Sequence, residues 1–209
     1  MVIERRSALA AHPMMAGAAA APGDQAPQLQ MSERRPLALL QVLAFVSEAD
    51  QVGADLAAAL ALPLPAGNRL SGDSRKSVRS VAPGVWLVAG DLGALPDAAT
   101  LRATLAARAS VVDLGQARCA LQLRGAAAAR TLAKFCGLDL DPSAFPTGSA
   151  TNTRFGHVGM HLARIDDAPT FELLVFRGYA EFVFDALCEG AAEFGFRVET
   201  SSPSPGVPA

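Results

Sequence analysis

Apolar and polar residues follow two periods along this chain, and these periods predict the same order of elements twice. Short apolar runs ended by Pro, Gly or Asp are typical of strands, and apolar residues three and four positions apart are typical of helices that face a core. The order is β-α-β-β-α-β over about residues 37–114 and again over about 119–200. It predicts an α+β fold of two tandem ferredoxin-like units packed as one domain, preceded by an extended N-terminal arm.

The first unit is predicted to hold four strands and two helices. Pro83 and Gly84 favour the turn of a hairpin, and Asp97 can cap a helix by accepting a hydrogen bond from a backbone N–H of its first turn. The elements are, in order, a strand over 37–46, a helix with Val52, Leu56, Ala59 and Leu60 on its apolar stripe, strands over 77–81 and 85–89, a helix after Asp97 and a strand over 110–114.

The second unit begins with a strand in which Cys119, Leu121 and Leu123 alternate with small or polar residues, as expected for a strand with one wet face. The elements are, in order, this strand over 119–124, a helix from about Ala126 with Ala129, Leu132, Ala133 and Cys136 at helical spacing, strands over 157–165 and 170–176, a helix over 178–194 with Tyr179, Phe182, Val183, Ala186 and Leu187 on its buried stripe, and a strand over 196–200.

The two ends of the chain show no sustained period. Residues 1–31 are rich in Ala, Pro and Gly and are expected to form the arm, and residues 201–209 are expected to form a disordered tail, which leaves 32–200 as the folded domain. The alanine-rich run in the arm lacks the leucines of a secretory signal, and His12 and Pro13 interrupt it. Secretion is therefore not predicted.

Composition limits the partners and the compartment. Hydrophobic residues make up 51% of the chain, charged residues 18%, and the mean hydropathy is +0.26, so we expect some apolar surface to meet a partner protein. The formal charge of -2 gives no support for binding nucleic acid or a membrane surface. The three cysteines are odd in number and lie in apolar stretches, which suits buried free thiols in a reducing compartment. A cytoplasmic location is predicted.

No set of residues has the spacing of a metal or nucleophile site. His157 and His161 lie four residues apart on a predicted strand, a separation of about 13 Å that one ion cannot bridge. Cys136 lies on the apolar stripe of a predicted helix, where a buried and unreactive thiol is expected. We therefore predict no catalytic residues and no metal ligands on this chain.

Patterns for phosphate and carboxylate binding also fail. Residues 67–74 read G-x-x-x-x-G-D-S, but a phosphate-binding loop needs Lys where this chain has Asp73. Asp is common in turns, and a solvated or interface role is favoured for Arg where no pocket is identified. A turn role is therefore expected for the acids that could act as a general acid or base, which are Asp139, Asp141, Asp166 and Asp167. A solvated or interface role is expected for Arg154 and Arg177, which could bind a ligand carboxylate. No cofactor-binding residues are predicted.

Several segments carry a family resemblance that spans nearly the whole chain. The most specific are LAKFCGLDLDPSAFPTG over 132–148 and IDDAPTFELLV over 165–175. The others are R-S-A-L over 6–9, S-E-R-R-P-L over 32–37, V-W-L-V over 85–88 and the V-V-D strand with its hairpin over 111–125. Together they resemble the gamma subunit of heterotetrameric sarcosine oxidase, whose signature is C-P-L-D-L followed by F-P-x-G.

The resemblance implies a fold related to the folate-binding aminomethyltransferase domain, used without an active site of its own. Complexes of this family oxidise sarcosine with oxygen to glycine, hydrogen peroxide and formaldehyde, and the one-carbon unit passes to tetrahydrofolate when it is available. FAD, FMN, NAD, zinc and tetrahydrofolate are then expected on other subunits.

The partners implied are the alpha subunit, as the main contact, and the beta and delta subunits. We expect the arm, including Arg6, Leu9 and Met14, to gain order on the alpha subunit, because alone it cannot bury enough surface to offset its lost entropy.

Two other functions stay open from the sequence. One is a free-standing tetrahydrofolate-dependent aminomethyltransferase or folate-binding protein, which would need a folate pocket with an essential acid. The other is the equivalent subunit of an N-methylglutamate dehydrogenase, since nothing on this chain selects the amine.

Overall fold

The structure, a computed structural model, describes residues 6–16, 19–20, 26–35 and 37–199. The predicted tail over 201–209 lies outside these residues. The strands are β1 (Ala19–Ala20), β2 (Leu29–Glu33), β3 (Leu37–Ala44), β4 (Leu70–Gly72), β5 (Lys76–Ala82), β6 (Val85–Asp91), β7 (Ala109–Asp113), β8 (Arg118–Arg124), β9 (Ala150–Phe155), β10 (Val158–Asp166), β11 (Thr170–Phe176) and β12 (Phe196–Glu199). The helices are α1 (Ala49–Leu60), α2 (Ala98–Leu105), α3 (Ala128–Ala133) and α4 (Ala180–Ala191).

The described residues form two compact units, and each unit contains one sheet. The five-stranded unit holds residues 37–115 and 148–151, and the seven-stranded unit holds the described residues of 6–35 together with 116–147 and 152–199. Within the described ranges, no helix has the length and apolar character needed to span a membrane.

The five-stranded unit confirms the element order of the first predicted repeat and adds β4, a strand that was not predicted. Its strand order is β4-β5-β6-β3-β7, with antiparallel neighbours throughout. Asp97 caps α2 as predicted, since its carboxylate accepts a hydrogen bond from the Thr100 N–H at 2.7 Å. The helices and the sheet share one core, formed by Leu40, Val42, Val52, Leu56, Leu60, Val78, Trp86, Val88, Leu101, Leu105 and Val111.

The seven-stranded unit has the strand order β1-β12-β2-β8-β11-β10-β9. The second predicted repeat supplies β8, β10, β11 and β12 with α3 and α4, which confirms its β-α-β-β-α-β order. The helices are shorter than predicted: α4 is flanked by 3-10 turns at Arg177–Tyr179 and Ala192–Phe194. β9, which lies at one edge of the sheet, was not predicted.

A strand from the N-terminal segment lies inside this sheet, between β12 and β8. β2 is parallel to β12 and antiparallel to β8. Leu29 and Met31 point into the core, while Gln30 and Ser32 point to the opposite face. The predicted boundary at residue 31 therefore falls within a strand. The run LQMSE is too short and too polar for its alternation to stand out from the sequence around it.

Candidate partner interface

The two histidines of the sequence analysis lie in different surroundings. His157 is exposed and precedes β10, whereas His161 lies on that strand, is 4% exposed, and has its Nδ1 3.0 Å from the Asn152 side-chain oxygen. Among the described residues, no three His, Cys, Asp or Glu side chains form a group that could hold a metal ion.

All three cysteines are free thiols, and the surroundings of Cys119 and Cys188 disfavour the thiolate. Cys119 and Cys136 are buried, as predicted, but Cys188 is partly exposed. Burial and the nearby Glu33 carboxylate raise the pKa of Cys119 well above its usual range. Burial, with smaller effects of the Asp185 and Glu189 charges, raises the pKa of Cys188 to about 11. A thiol with so high a pKa is a poor nucleophile at neutral pH.

The predicted turn acids accept hydrogen bonds from the turns in which they lie. The Asp141 carboxylate accepts from the Ser143 hydroxyl at 2.6 Å and from its N–H at 2.9 Å, and these bonds lower the pKa of Asp141. Asp166 accepts from the N–H groups of Ala168 and Thr170, both at 2.9 Å. These contacts give the two carboxylates a structural role in local turns.

Residues 67–74 include β4, and the turn after this strand is closed by Asp73, the residue that breaks the phosphate-binding pattern. The Asp73 carboxylate accepts hydrogen bonds from the N–H groups of Arg75 and Lys76, at 2.8 and 3.0 Å. These backbone bonds lower the pKa of Asp73. The Asp73 carboxylate therefore occupies the backbone N–H donors of this turn.

Arg177 fastens the N-terminal segment to the seven-stranded unit. Its guanidinium donates to the carbonyl oxygens of Arg6 and Ser7, at 2.8 and 3.2 Å. The Ser7 hydroxyl donates to the buried Glu33 carboxylate and accepts from the Leu9 N–H at 2.9 Å. Leu9 is 0% exposed and belongs to the core of the unit. The segment therefore packs on its own chain at Leu9, which differs from the expected unpacked arm.

Two further contacts hold the segment beside α4. The His12 ring lies 2.8 Å from the Asp185 carboxylate and packs edge-on against Phe184. Met14 is partly buried against the same core. For the residues predicted to touch a partner, Arg6 remains exposed, Met14 keeps some exposed surface, and Leu9 keeps none. Contact of the segment with a partner stays a prediction.

Three exposed aromatic side chains follow one another at three-residue intervals where β11 runs into α4. Phe176 is 50% exposed, Tyr179 49% and Phe182 48%. The Arg118 guanidinium lies 3.5 Å above the Phe176 ring, and the His157 ring lies 5.3 Å from that of Phe182. We call these five residues the aromatic surface. The prediction that Tyr179 and Phe182 lie on the buried stripe is wrong, whereas it is confirmed for Val183 and Leu187, which α4 turns inward.

The five-stranded unit has an exposed apolar cluster of its own. Leu43, near the end of β3, is 44% exposed, and Phe45 and Val46, which follow this strand, are 52% and 98% exposed. Val112, on the edge strand β7, is 45% exposed. The run over 37–46 was predicted to be buried, and this holds for most of β3 but not for its end. Periodicity alone could not separate a buried strand end from an exposed one.

This is an α+β protein of two ferredoxin-like units, and its exposed apolar surfaces are of the kind that contact partner proteins. The model of the sarcosine oxidase gamma subunit family matches residues 47–193. The chain belongs to this family. A comparison with curated proteins found no significant match.

Solved structures agree with this assignment. A heterotetrameric sarcosine oxidase from Corynebacterium sp. U-96, in complex with pyrrole 2-carboxylate, matches with a TM-score of 0.77 and 29% identity, over 91% of this chain and 96% of that one. The glycine cleavage system aminomethyltransferase T from Bartonella henselae matches with a TM-score of 0.60 and 19% identity, over 83% of this chain. This chain spans 48% of the aminomethyltransferase, and the likeness shows the fold alone.

Proposed function

We propose that this chain is the non-catalytic gamma subunit of a heterotetrameric sarcosine oxidase complex. The complex oxidatively demethylates sarcosine to glycine, with release of hydrogen peroxide and of formaldehyde or, with tetrahydrofolate, methylene-tetrahydrofolate. FAD, FMN, NAD, zinc and tetrahydrofolate are held by the other subunits. The family assignment and the likeness to a heterotetrameric sarcosine oxidase support this proposal. The aromatic surface is the observation that carries the structural role.

The composition of the aromatic surface is that of an interface centre. Tyr, Phe and Arg are enriched at the cores of protein interfaces, where rings fill pockets of the partner. A ring side chain buries about 150–250 Å² in full, so three rings that are each half exposed offer roughly 300 Å². At 25 cal/mol per Å², covering this area contributes about 7 kcal/mol before the costs of association. A stable interface needs roughly 800 Å² per partner, so the contact extends to neighbouring residues.

Two of the three rings, those of Phe176 and Phe182, have side-chain neighbours before a partner arrives. Arg118 covers one face of Phe176, and His157 lies against Phe182. Fewer rotamers are therefore lost when the partner binds, which lowers the entropic cost of association. The same contacts leave about half of each ring exposed.

The polar groups of the chain support a non-catalytic role. The high pKa values of Cys119 and Cys188 keep these thiols protonated at neutral pH. Asp141 and Asp166 accept backbone hydrogen bonds within turns. Arg177, for which a solvated or interface role was predicted, donates to backbone carbonyls of the N-terminal segment.

Co-purification tests the proposal. The tagged chain is co-expressed with the alpha, beta and delta subunits of the same organism, and we expect it to elute with flavin absorbance and sarcosine oxidase activity. A triple variant, Phe176→Ser with Tyr179→Ser and Phe182→Ser, should fold but elute alone. The conservative variant Phe176→Leu with Phe182→Leu keeps an apolar surface and should still associate.

The outcomes distinguish the proposed subunit role from the proposed use of the aromatic surface as the interface. A wild-type chain that runs as a stable monomer and never elutes with flavin-containing subunits would contradict the proposal. If the serine variant associates as the wild type does, the subunit role stands and the aromatic surface is not its interface. If the complex oxidises N-methylglutamate in place of sarcosine, the chain is the equivalent subunit of an N-methylglutamate dehydrogenase. If the isolated chain binds tetrahydrofolate tightly and shows transfer activity, it is an aminomethyltransferase.

A further inference from the structure

The face of the seven-stranded sheet opposite its helices carries a cleft of about 460 Å³. The cleft lies over β12, β2 and β8, where Arg197 pairs with Gln30 and Gln30 pairs with Arg124. These three side chains point away from the core, because Leu29 and Met31 point into it. Neighbouring strands lie about 4.8 Å apart, so the two arginines start about 10 Å from each other, on either side of Gln30.

The two arginines lack an anionic partner within the described part of the chain. Neither the Arg124 nor the Arg197 guanidinium has a hydrogen bond, ion pair or ring contact there, and both residues are exposed. Other arginines of the same unit are engaged: Arg34 pairs with Glu172 at 3.1 Å, and Arg177 binds the N-terminal segment. Glu199 lines the cleft but makes no such contact with either arginine. The cleft therefore has an excess of positive charge with two unused bidentate donors.

A carboxylate presented by another protein fits this site better than a free small molecule does. Pockets for small molecules enclose most of the ligand, whereas Arg124, Arg197, Glu199 and Gln28 are all exposed walls of an open cleft. The chain carries a net charge of -2, which disfavours the phosphate backbone of a nucleic acid. A protein surface can cover the cleft, place carboxylates against the guanidinium groups, and accept a hydrogen bond from the Gln30 amide.

We infer that this cleft is a second docking site, at which Arg124 and Arg197 bind carboxylate side chains of a partner subunit of the complex. The inference rests on the proposed function, since it needs an assembled complex. It goes further because it assigns a charge to the partner surface and places the contact at Arg124, at the opposite end of β8 from Arg118 of the aromatic surface.

Carbodiimide cross-linking tests the inference directly. The chain has two lysines, Lys76 and Lys134, so cross-links of a newly introduced lysine are readily distinguished from those of the native lysines. In the assembled complex, Arg124→Lys and Arg197→Lys should each form an amide with an Asp or Glu of a partner subunit, identified by mass spectrometry. The matched control is Arg154→Lys, an exposed arginine on β9 of the same sheet.

Charge reversal supplies a second measurement. The double variant Arg124→Glu with Arg197→Glu should weaken association about tenfold or more at low salt, because each attraction becomes a repulsion. The difference from the wild type should shrink at high salt, which screens such contacts. Arg154→Glu should leave the affinity within about twofold.

Each outcome bears on one claim or on both. If the wild-type complex assembles but the reversed variant binds as tightly, and cross-links do not exceed those of the Arg154→Lys control, the inference is wrong and the proposed function stands. Cross-links confined to this chain, for example to Glu199, also overturn it. If the wild-type chain does not assemble with the flavin subunits, both the proposed function and the inference fail.

Discussion

Truncation of Leu9 tests whether the N-terminal segment belongs to the fold of the chain. Leu9 is 0% exposed in the core of the seven-stranded unit, and the segment around it is held by Arg177 and Ser7. Leu9→Ala removes three carbon atoms from this core. If the segment were an unpacked arm, the change would not affect stability.

The magnitude follows from burial. At about 0.8 kcal/mol for each buried methyl or methylene group, three carbon atoms account for about 2.4 kcal/mol. A cavity that stays open adds to this, and buried Leu→Ala changes cost about 2–5 kcal/mol in all. Because no sheet pairing fixes the backbone at Leu9, the segment can move inward and fill part of the cavity. We therefore expect a loss of about 2–3 kcal/mol in the free energy of unfolding.

Urea and thermal unfolding, followed by circular dichroism, measure this loss. The midpoint temperature should fall by about 5–10 °C. The matched control is Leu43→Ala, which deletes the same atoms from a leucine that is 44% exposed, so it should cost about half as much, roughly 1.3 kcal/mol. Equal midpoints for Leu9→Ala and the wild-type chain would refute the packing of the segment.

Two further predictions test the sheet and the thiols. Gly125→Ala should lower the free energy of unfolding by at least about 2 kcal/mol, because the φ of Gly125 is +121° and an added Cβ would lie 2.5 Å from the Gln28 carbonyl oxygen. The control Gly156→Ala, with φ +56° and no atom within 4 Å of the added Cβ, should cost about 1 kcal/mol. Equal losses for the two variants in urea titrations would argue against the close approach of Gly125 to the residue before β2. Cys188, with a pKa of about 11, should react with iodoacetamide at about pH 8 roughly a hundredfold more slowly than a thiol of pKa 9.0, speeding up about tenfold per pH unit as the pH rises towards 11, while Cys119 stays unlabelled; a pH-independent rate would contradict the raised pKa.

Much of the fold could be predicted because the elements with strong patterns are also those that form the cores. The hairpin of β10 and β11 turns at the predicted Asp166, and Asp97 caps α2 as expected. In each case the deciding interaction is local: a turn residue or a cap satisfies backbone groups a few positions away. Such interactions can be read from neighbouring letters of the sequence.

The parts that could not be predicted depend on contacts between distant residues. β2 becomes a strand because β8 and β12 offer hydrogen-bonding edges on both sides of it, and its own five residues do not require that structure. Likewise, Tyr179 and Phe182 have helical spacing, but the buried stripe of α4 runs through Val183, Phe184 and Leu187 and leaves both of them outside it. A period defines a face of a helix, and the tertiary fold decides which face is covered.

The N-terminal segment and the aromatic surface adjoin, and this relates the predicted partner contact to the proposed one. Arg177, which binds the carbonyl of Arg6, directly follows the exposed Phe176. Asp185, which contacts His12, lies on α4, the helix that also carries part of the aromatic surface. The segment is thus held along the border of the exposed rings, where its exposed side chains can enlarge a contact that the rings alone are too small to provide. Packing of Leu9 on its own chain therefore favours the partner contact predicted for Arg6, because it orders that residue beforehand and lowers the entropy lost on association.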